Sequence, residues 1–317
     1  MRAWLALLAL VAAPQVLRAD EPAKPSAPPA ALTEEAPAAP PAKPAWCASE
    51  LTTLSNGVCY HAPEKPAPNE GQPAPRRTLV IFLHGLTEEG HGWEHTMQKG
   101  MMLYAKKHQF SLLVPRGRNG VGPERKASVI AWPLGTDVRE KYEAEVLAEW
   151  AAARKEVETQ EGAAFDEVFV MGFSNGAYFA TSLALRQRLD VDGFAAFAGG
   201  SDAGLAPIKK APKGAKPLFV GIASKDGTTR DKATSLVKTL KKAKWPHKSE
   251  SRKVGHVVGD GHIDTALAYL RAQKTGKANT ESATPEESAM PPEPKTKSAK
   301  KKPAKTKSKR ARSTKKK

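Results

Sequence analysis

The sequence has few cysteines, no apolar run long enough to remain as a bilayer-spanning anchor, and no evident internal repeat. The apolar run Trp4–Ala13 is too short for a permanent span. No cysteine follows the expected cleavage site at Ala19, which argues against a lipoprotein. We therefore expect no transmembrane anchor after processing.

Charge is concentrated at the C-terminus. Of the formal net charge of +17, 13 positive charges come from residues 294–317, which contain no acidic residue, so +4 remains for everything before them. The same residues contain no aromatic side chain, so base stacking is not expected there. Two interpretations remain open: the tail binds a polyanion such as nucleic acid or an acidic polysaccharide, or it is only a solubilising run.

The ends of the chain look unlike a folded domain. Residues 1–19 combine a positive Arg2, the apolar run and the cleavage site Leu17-Arg18-Ala19, which predicts a secretory signal peptide; an uncleaved anchor is the alternative. Residues 20–45 are rich in Ala and Pro and predict a linker, and residues 275–317 predict a disordered tail. A single domain is expected over residues 46–274 of a periplasmic or secreted protein.

A hairpin is predicted at the start of this domain. Strand-like residues 51–54 and 58–60 flank Asn56-Gly57, a strong turn signal. Cys47 and Cys59 lie on either side of it. An export signal implies an oxidising compartment, so we favour a disulfide between them over two unpaired small apolar residues.

Beyond the hairpin, strands alternate with helices. This order predicts an α/β fold with a mostly parallel sheet covered by helices on both faces. Between the second strand and the second helix of this series, residues 116–135 predict a long irregular loop. Arg116, Arg118 and Trp132 in this loop are candidates for shaping a pocket, and a solvated surface loop is the alternative. The expected elements are the strands Leu79–Leu83, Leu112–Val114, Val168–Met171, Phe194–Ala198 and Leu218–Ile222, and the helices Trp93–Lys107, Val138–Glu158, Ala233–Leu240 and Ile263–Leu270.

The segment Phe165–Ala177 carries the strongest functional signal. A buried strand runs directly into Gly172-Phe173-Ser174-Asn175-Gly176, a G-x-S-x-G pattern, and helical spacing follows. A serine at a sharp strand-to-helix turn is typical of a nucleophile elbow. The alternative is an ordinary turn, since Gly and Ser are common turn residues.

A serine nucleophile needs a histidine base and a carboxylate, which follow it in this order in such folds. Asp226 comes just after the strand Leu218–Ile222 and is the expected acid; the alternatives are a turn role for Asp226 and Asp202 as the acid. His256 and His262 compete for the base. We predict His256, because His262 is better explained as the residue that starts the last helix.

The oxyanion requires two N–H donors. One should be the backbone N–H of Asn175, and the other that of Leu86 in His84-Gly85-Leu86. His84 precedes the serine in the chain and is predicted to support this loop rather than to act as a base.

These motifs resemble a known family. The segment Ile81–Trp93 is similar to the oxyanion loop of the phospholipase/carboxylesterase family, which includes acyl-protein thioesterases. The segment Gly172–Gly176 resembles that family's elbow, although Asn175 stands where the family usually has Gln. Secreted esterases of the polyhydroxybutyrate-depolymerase and feruloyl-esterase type share the elbow. Over residues 78–271, the resemblance implies an α/β-hydrolase in which Ser174, Asp226 and His256 form a triad, and Leu86 and Asn175 donate to the oxyanion.

Two functions are therefore expected from the sequence. The first is a secreted or periplasmic serine hydrolase that cleaves small-molecule or lipid-like esters, or thioesters, through an acyl-enzyme on Ser174, with no metal or cofactor. The second is a polyanion-binding protein that uses residues 294–317 and carries a vestigial hydrolase domain.

Overall fold

The computed structural model describes residues 46–64, 76–201 and 208–274. All of these residues belong to one compact unit, Ala45–Lys317. Within this described part of the chain, no helix is both long enough and apolar enough to cross a membrane.

Several predicted features lie outside the described residues. They are the signal peptide over residues 1–19, the linker over residues 20–45, the tail over residues 275–317 and the alternative acid Asp202. These features, and the domain boundaries, stay predictions.

Eleven strands and five helices form within the described residues. The strands are β1 (Thr52–Thr53), β2 (Cys59–His61), β3 (Thr78–Leu83), β4 (Thr87–Glu88), β5 (Ser111–Val114), β6 (Arg118–Asn119), β7 (Val129–Ala131), β8 (Glu167–Phe173), β9 (Gly193–Phe197), β10 (Leu218–Ala223) and β11 (His247–Arg252). The helices are α1 (Trp93–His108), α2 (Thr136–Glu161), α3 (Asn175–Leu185), α4 (Arg230–Lys242) and α5 (His262–Lys274).

Eight strands form the central sheet in the order β1-β2-β5-β3-β8-β9-β10-β11. The two pairs that include β2 are antiparallel, and all other pairs in this sheet are parallel. The carboxyl ends of β3, β8 and β10 therefore meet at one edge of the sheet, where ligand-binding loops of parallel sheets lie. Every predicted site residue follows one of the parallel strands.

Alternation along β3 explains how the sheet is covered. Leu79, Ile81 and Leu83 face a core that also contains residues of α2, α3 and α4. Val80 and Phe82 face the opposite core, with residues of α1 and α5. Successive side chains of a strand point to opposite faces, so a strand with no polar interruption is buried on both. This confirms the expected α/β fold with helices on both faces.

The N-terminal hairpin is present and extends the central sheet. Gly57 has a φ of 83° and its N–H donates to the Leu54 carbonyl oxygen over 2.9 Å, which closes the turn. Strand β2 then pairs with β5. Cys47 and Cys59 form a disulfide.

Two regions differ from the expectation. The loop over residues 116–135 contains β6 and β7, which pair with β4 in a separate three-stranded sheet. Strand β11 has a polar sequence, and its pattern could not be recognised because it is an edge strand with many exposed side chains. The other elements occur where predicted, with ends shifted by a few residues.

Candidate active site

Ser174 occupies a strained turn between β8 and α3. Its φ is 51° and its ψ is −117°, a region that residues with a Cβ rarely adopt. The Ser174 N–H donates to the Phe197 carbonyl oxygen over 3.0 Å, and the Ser174 carbonyl oxygen accepts from the Ala177 N–H over 2.9 Å. The turn is thus held from both the sheet and the helix.

The glycines of the G-x-S-x-G pattern are required by close backbone approach. A Cβ at Gly172 would lie 2.2 Å from the Gly176 carbonyl oxygen. A Cβ at Gly176 would lie 2.2 Å from the Leu83 carbonyl oxygen. Both distances are far below any real contact, so neither position accepts a larger residue without a backbone shift.

Three of the predicted side chains form one hydrogen-bonded row. His256 Nε2 lies 2.9 Å from Ser174 Oγ, and His256 Nδ1 lies 2.6 Å from Asp226 Oδ2. Since a carboxylate only accepts, Nδ1 carries the proton in this row and Nε2 faces the serine hydroxyl as an acceptor. The row connects the loops after β8, β10 and β11.

Asp226 is buried, and its carboxylate accepts several hydrogen bonds. Its Oδ1 accepts from the Thr228 N–H over 2.8 Å and from the Thr229 N–H over 3.2 Å, and its Oδ2 accepts from the Thr229 hydroxyl. Burial raises the pKa of this carboxyl, but the hydrogen bonds from His256, Thr229 and Thr228 outweigh it and hold the pKa below its usual value. Asp226 is therefore ionised and oriented at neutral pH.

Thr229 was missed by the sequence reasoning. A hydroxyl residue soon after an aspartate in a turn is a weak signal, because Asp-Gly-Thr-Thr reads equally well as an ordinary loop before a helix.

His256 is held on a loop with a partly open side. Its side chain is 42% exposed, and its ring lies 5.0 Å from the ring of Phe173. The next residue, Val257, is also exposed. Solvent and a substrate can thus approach the imidazole from one side.

His262 has a different environment. It starts α5, is fully buried, and packs against the rings of Phe197 and Phe219 at 6.2 and 6.4 Å. Neither of its ring nitrogens has a hydrogen-bond partner among the described residues. Burial lowers its pKa. Its place at the start of the last helix is the one expected from the sequence.

The predicted oxyanion loop lies against the serine. A Cβ at Gly85 would lie 3.3 Å from Ser174 Cβ and 3.1 Å from Phe173 Cδ1, which is tighter than most real contacts and favours glycine there. Leu86 follows Gly85, and Asn175 begins α3 directly after Ser174. The role of the Leu86 and Asn175 N–H groups as oxyanion donors stays a prediction.

His84 stabilises this loop through two hydrogen bonds. It is buried; its Nδ1 donates to the Gly85 carbonyl oxygen over 2.6 Å, and its Nε2 accepts from the Gly117 N–H over 3.0 Å. Burial lowers its pKa to about 4, so the ring is neutral at pH 7. Both ring nitrogens are engaged in hydrogen bonds, so neither is available to act as a base.

The prediction that Arg116, Arg118 and Trp132 shape a pocket stays a prediction for the two arginines, which are held in ion pairs, and is wrong for Trp132, whose side chain is buried. Arg118 pairs with Glu145 and Glu149 of α2 at 3.1 and 2.6 Å. Arg116 pairs with Glu89 at 3.0 Å.

Trp132 is fully buried and stacks on Phe179 at 5.8 Å, so it belongs to the core. The position of Trp132 in a predicted loop does not indicate its burial, because the burial of a loop side chain depends on which distant segments pack over it.

The described residues contain no cluster of three or more His, Cys, Asp or Glu side chains that could hold a metal ion.

Residues 103–257 match the family model of the dienelactone hydrolase family. This span includes Ser174, Asp226 and His256. No curated protein sequence matches the chain.

Solved structures are similar over most of the folded part. A carboxylesterase from Mesorhizobium loti is 21% identical, with a TM-score of 0.46, over 62% of this chain and 90% of that one. A variant of SOBER1 from Arabidopsis thaliana is 18% identical, with a TM-score of 0.46, over 62% and 99%. A carboxylesterase from Bacillus cereus is 14% identical, with a TM-score of 0.46, over 68% and 92%.

Proposed function

We propose that this chain, which is an α/β-hydrolase, is an exported serine hydrolase that cleaves carboxylic esters or thioesters through an acyl-enzyme on Ser174. The observation that carries the proposal is the row in which His256 stands 2.9 Å from Ser174 Oγ and 2.6 Å from Asp226 Oδ2. The match to the dienelactone hydrolase family supports an ester-hydrolysing enzyme.

In the first half of the reaction, Ser174 Oγ attacks the carbonyl carbon while its proton passes to His256 Nε2. Asp226 accepts from Nδ1–H and stabilises the imidazolium that forms. The developing oxyanion accepts from the N–H groups of Leu86 and Asn175. The tetrahedral intermediate then collapses, and the leaving alcohol or thiol takes the proton from His256.

In the second half, His256 removes a proton from water, and the resulting hydroxide attacks the acyl carbon. The bond to Ser174 Oγ breaks, the serine recovers its proton from His256, and the carboxylic acid leaves. The two half-reactions together conserve protons and electron pairs, and the proposed mechanism uses no metal or organic cofactor.

Export is part of the proposal. The predicted signal peptide motivates it, and the disulfide Cys47–Cys59 supports it, since such bonds persist mainly in oxidising compartments. Fractionation of the native host, with detection of the mature N-terminus after Ala19, is the direct measurement. A full-length cytoplasmic protein would contradict export and leave the esterase proposal intact.

The esterase proposal is tested with Ser174→Ala on p-nitrophenyl acetate and butyrate, with Ser249→Ala, an exposed serine on β11, as the control. We expect Ser174→Ala to lose at least about 10³-fold in kcat and its labelling by a fluorophosphonate, and Ser249→Ala to keep both. Unchanged turnover in Ser174→Ala would end the proposal.

A second candidate function, polyanion binding, is favoured by a basic surface on α4 and its neighbours. The loop before β10 is joined to the end of α4 by the hydrogen bond from the Ala211 N–H to the Ala243 carbonyl oxygen, 2.7 Å long. The ion pairs of this surface involve Lys216, Arg230 and Arg252. Its other exposed lysines are Lys209, Lys210, Lys213, Lys232, Lys238, Lys241, Lys242, Lys244, Lys248 and Lys253.

Heparin affinity tests this candidate with two variants, a deletion of residues 294–317 and a change of Lys238, Lys241 and Lys242 to Gln. If both the predicted tail and the α4 surface bind, each variant elutes at lower salt and the combination is additive. Elution of both variants at the wild-type position would reject polyanion binding.

A further inference from the structure

A cleft of about 440 Å³ opens beside the oxyanion loop. Leu86 forms one wall, and β4 and β7 of the small sheet contribute Thr87 and Val129. Ser174 is not part of the lining, but Leu86 directly follows Gly85, whose Cβ position lies 3.3 Å from Ser174 Cβ. The cleft therefore borders the loop that contacts Ser174.

Four of the side chains that line the cleft are apolar. Leu86 is 42% exposed and Trp93 is 43% exposed, and exposed apolar side chains that share one cleft are typical of a ligand-binding groove. Pro123 and Val129 complete the apolar part of the lining. A flat, exposed indole is suited to stacking against another ring.

The carboxylates that line the cleft each have a nitrogen beside them. Glu124 lies 2.5 Å from Lys126, and Glu88 lies 3.3 Å from Nε2 of His91. Because the lysine of the lining is paired with Glu124, it is not offered to an anionic ligand. An uncharged ligand loses the least hydration free energy on entering such a site.

We propose that this cleft binds an uncharged aryl group of the ester substrate, with the ring packed on Trp93 and Leu86. The inference rests on the proposed esterase function and adds a substrate class to it. The ring belongs to either the acyl or the alcohol side of the ester, and the test separates the two.

Two substrate series, followed by acid release, share ethyl acetate as reference. Ethyl benzoate and ethyl 4-hydroxybenzoate place the ring on the acyl side; phenyl acetate and 4-hydroxyphenyl acetate place it on the alcohol side. In the series whose ring occupies the cleft, Trp93→Ala should lower the ratio of kcat/KM for the aryl ester to kcat/KM for ethyl acetate by roughly 10-fold, mainly through a higher KM for the aryl ester. Leu103→Ala, an exposed apolar residue of the same helix (66% exposed), should leave all ratios at the wild-type value.

Wild-type ratios in Trp93→Ala for both series, or an equal loss on every ester, would overturn the aryl site.

A binding measurement separates this inference from the esterase proposal. Calorimetry with methyl 4-hydroxybenzoate on a Ser174→Ala background does not depend on turnover. The dissociation constant should rise roughly 10-fold when Trp93→Ala is added and stay the same when Leu103→Ala is added. Equal affinity in both combinations would reject the site, whatever Ser174→Ala does to turnover.

Discussion

The backbone N–H of Trp132 donates a 2.7 Å hydrogen bond to the side-chain oxygen of Asn175. The indole N–H of the same tryptophan donates to the carbonyl oxygen of His84 over 2.8 Å. Trp132 therefore connects the start of α3 with the loop that leads to Leu86. These are the two segments that supply the proposed oxyanion donors.

Trp132→Phe should weaken this connection. It removes the N–H that bonds His84 and leaves that buried carbonyl without its donor, so we expect a loss of about 1 to 3 kcal/mol in the free energy of unfolding and a lower kcat. Trp150→Phe is a matched control, because Trp150 is in the same aromatic cluster and its Nε1 has no hydrogen-bond partner among the described residues. Urea unfolding and ester turnover measure both effects. Equal kcat in the two variants would contradict a positioning role for Trp132.

Gly176→Ala should abolish the folded active site. Its Cβ would meet the Leu83 backbone at 2.2 Å, and backbone cannot move aside as a flexible side chain can. Gly100→Ala in α1 is the control: a Cβ there meets nothing within 4 Å, and alanine should stabilise the helix by about 1 kcal/mol. Thermal unfolding compares them. A Gly176→Ala protein with wild-type melting and turnover would contradict the close approach of β3 and α3.

His84 should make stability depend on pH. Its folded pKa of about 4 is below the ordinary value of 6.5, so the unfolded chain takes up the proton first as the pH falls. The stability that this residue contributes is complete above about pH 6.5 and is lost between about pH 6.5 and pH 4, by on the order of 3 kcal/mol.

Urea unfolding of the wild type across this pH range measures the loss, with His84→Gln and His84→Asn as non-titrating comparisons. The variants should show a shallower dependence on pH, whatever their stability at pH 7. Parallel curves for all three proteins would exclude His84 as a buried neutral group.

The disulfide should stabilise the hairpin region. It joins cysteines separated by 12 positions, and a loop of that size predicts about 3 kcal/mol. Reductant should lower the melting temperature of the wild type but not that of a Cys47→Ser, Cys59→Ser double variant. A wild-type melting temperature that is unaffected by reductant under conditions that release both thiols would contradict this contribution.

The elbow could be predicted from the sequence because its requirements are local. A buried strand, two glycines around a serine and a following helix leave few other conformations for Ser174. The alternating strands and helices likewise predicted the sheet, since β3 and β8 are apolar throughout and strands buried on both faces need such runs. Chain order together with the position just after the strand Leu218–Ile222 favoured Asp226 as the acid, and the search beyond it narrowed the base to two histidines.

The tertiary structure decided what depends on distant parts of the chain. Whether His256 or His262 faces Ser174 follows from the path of the loop after β11, an edge strand whose polar residues carry no period. Neither interpretation of Trp132, a pocket residue or part of a solvated loop, anticipates its burial, because α2 and α3 create that burial. The cleft beside Leu86 is lined by residues of β4 and β7, which pair with each other across some forty positions of the chain. Local patterns are set by neighbouring residues, whereas these contacts join segments tens of positions apart, and only the packed fold brings them together.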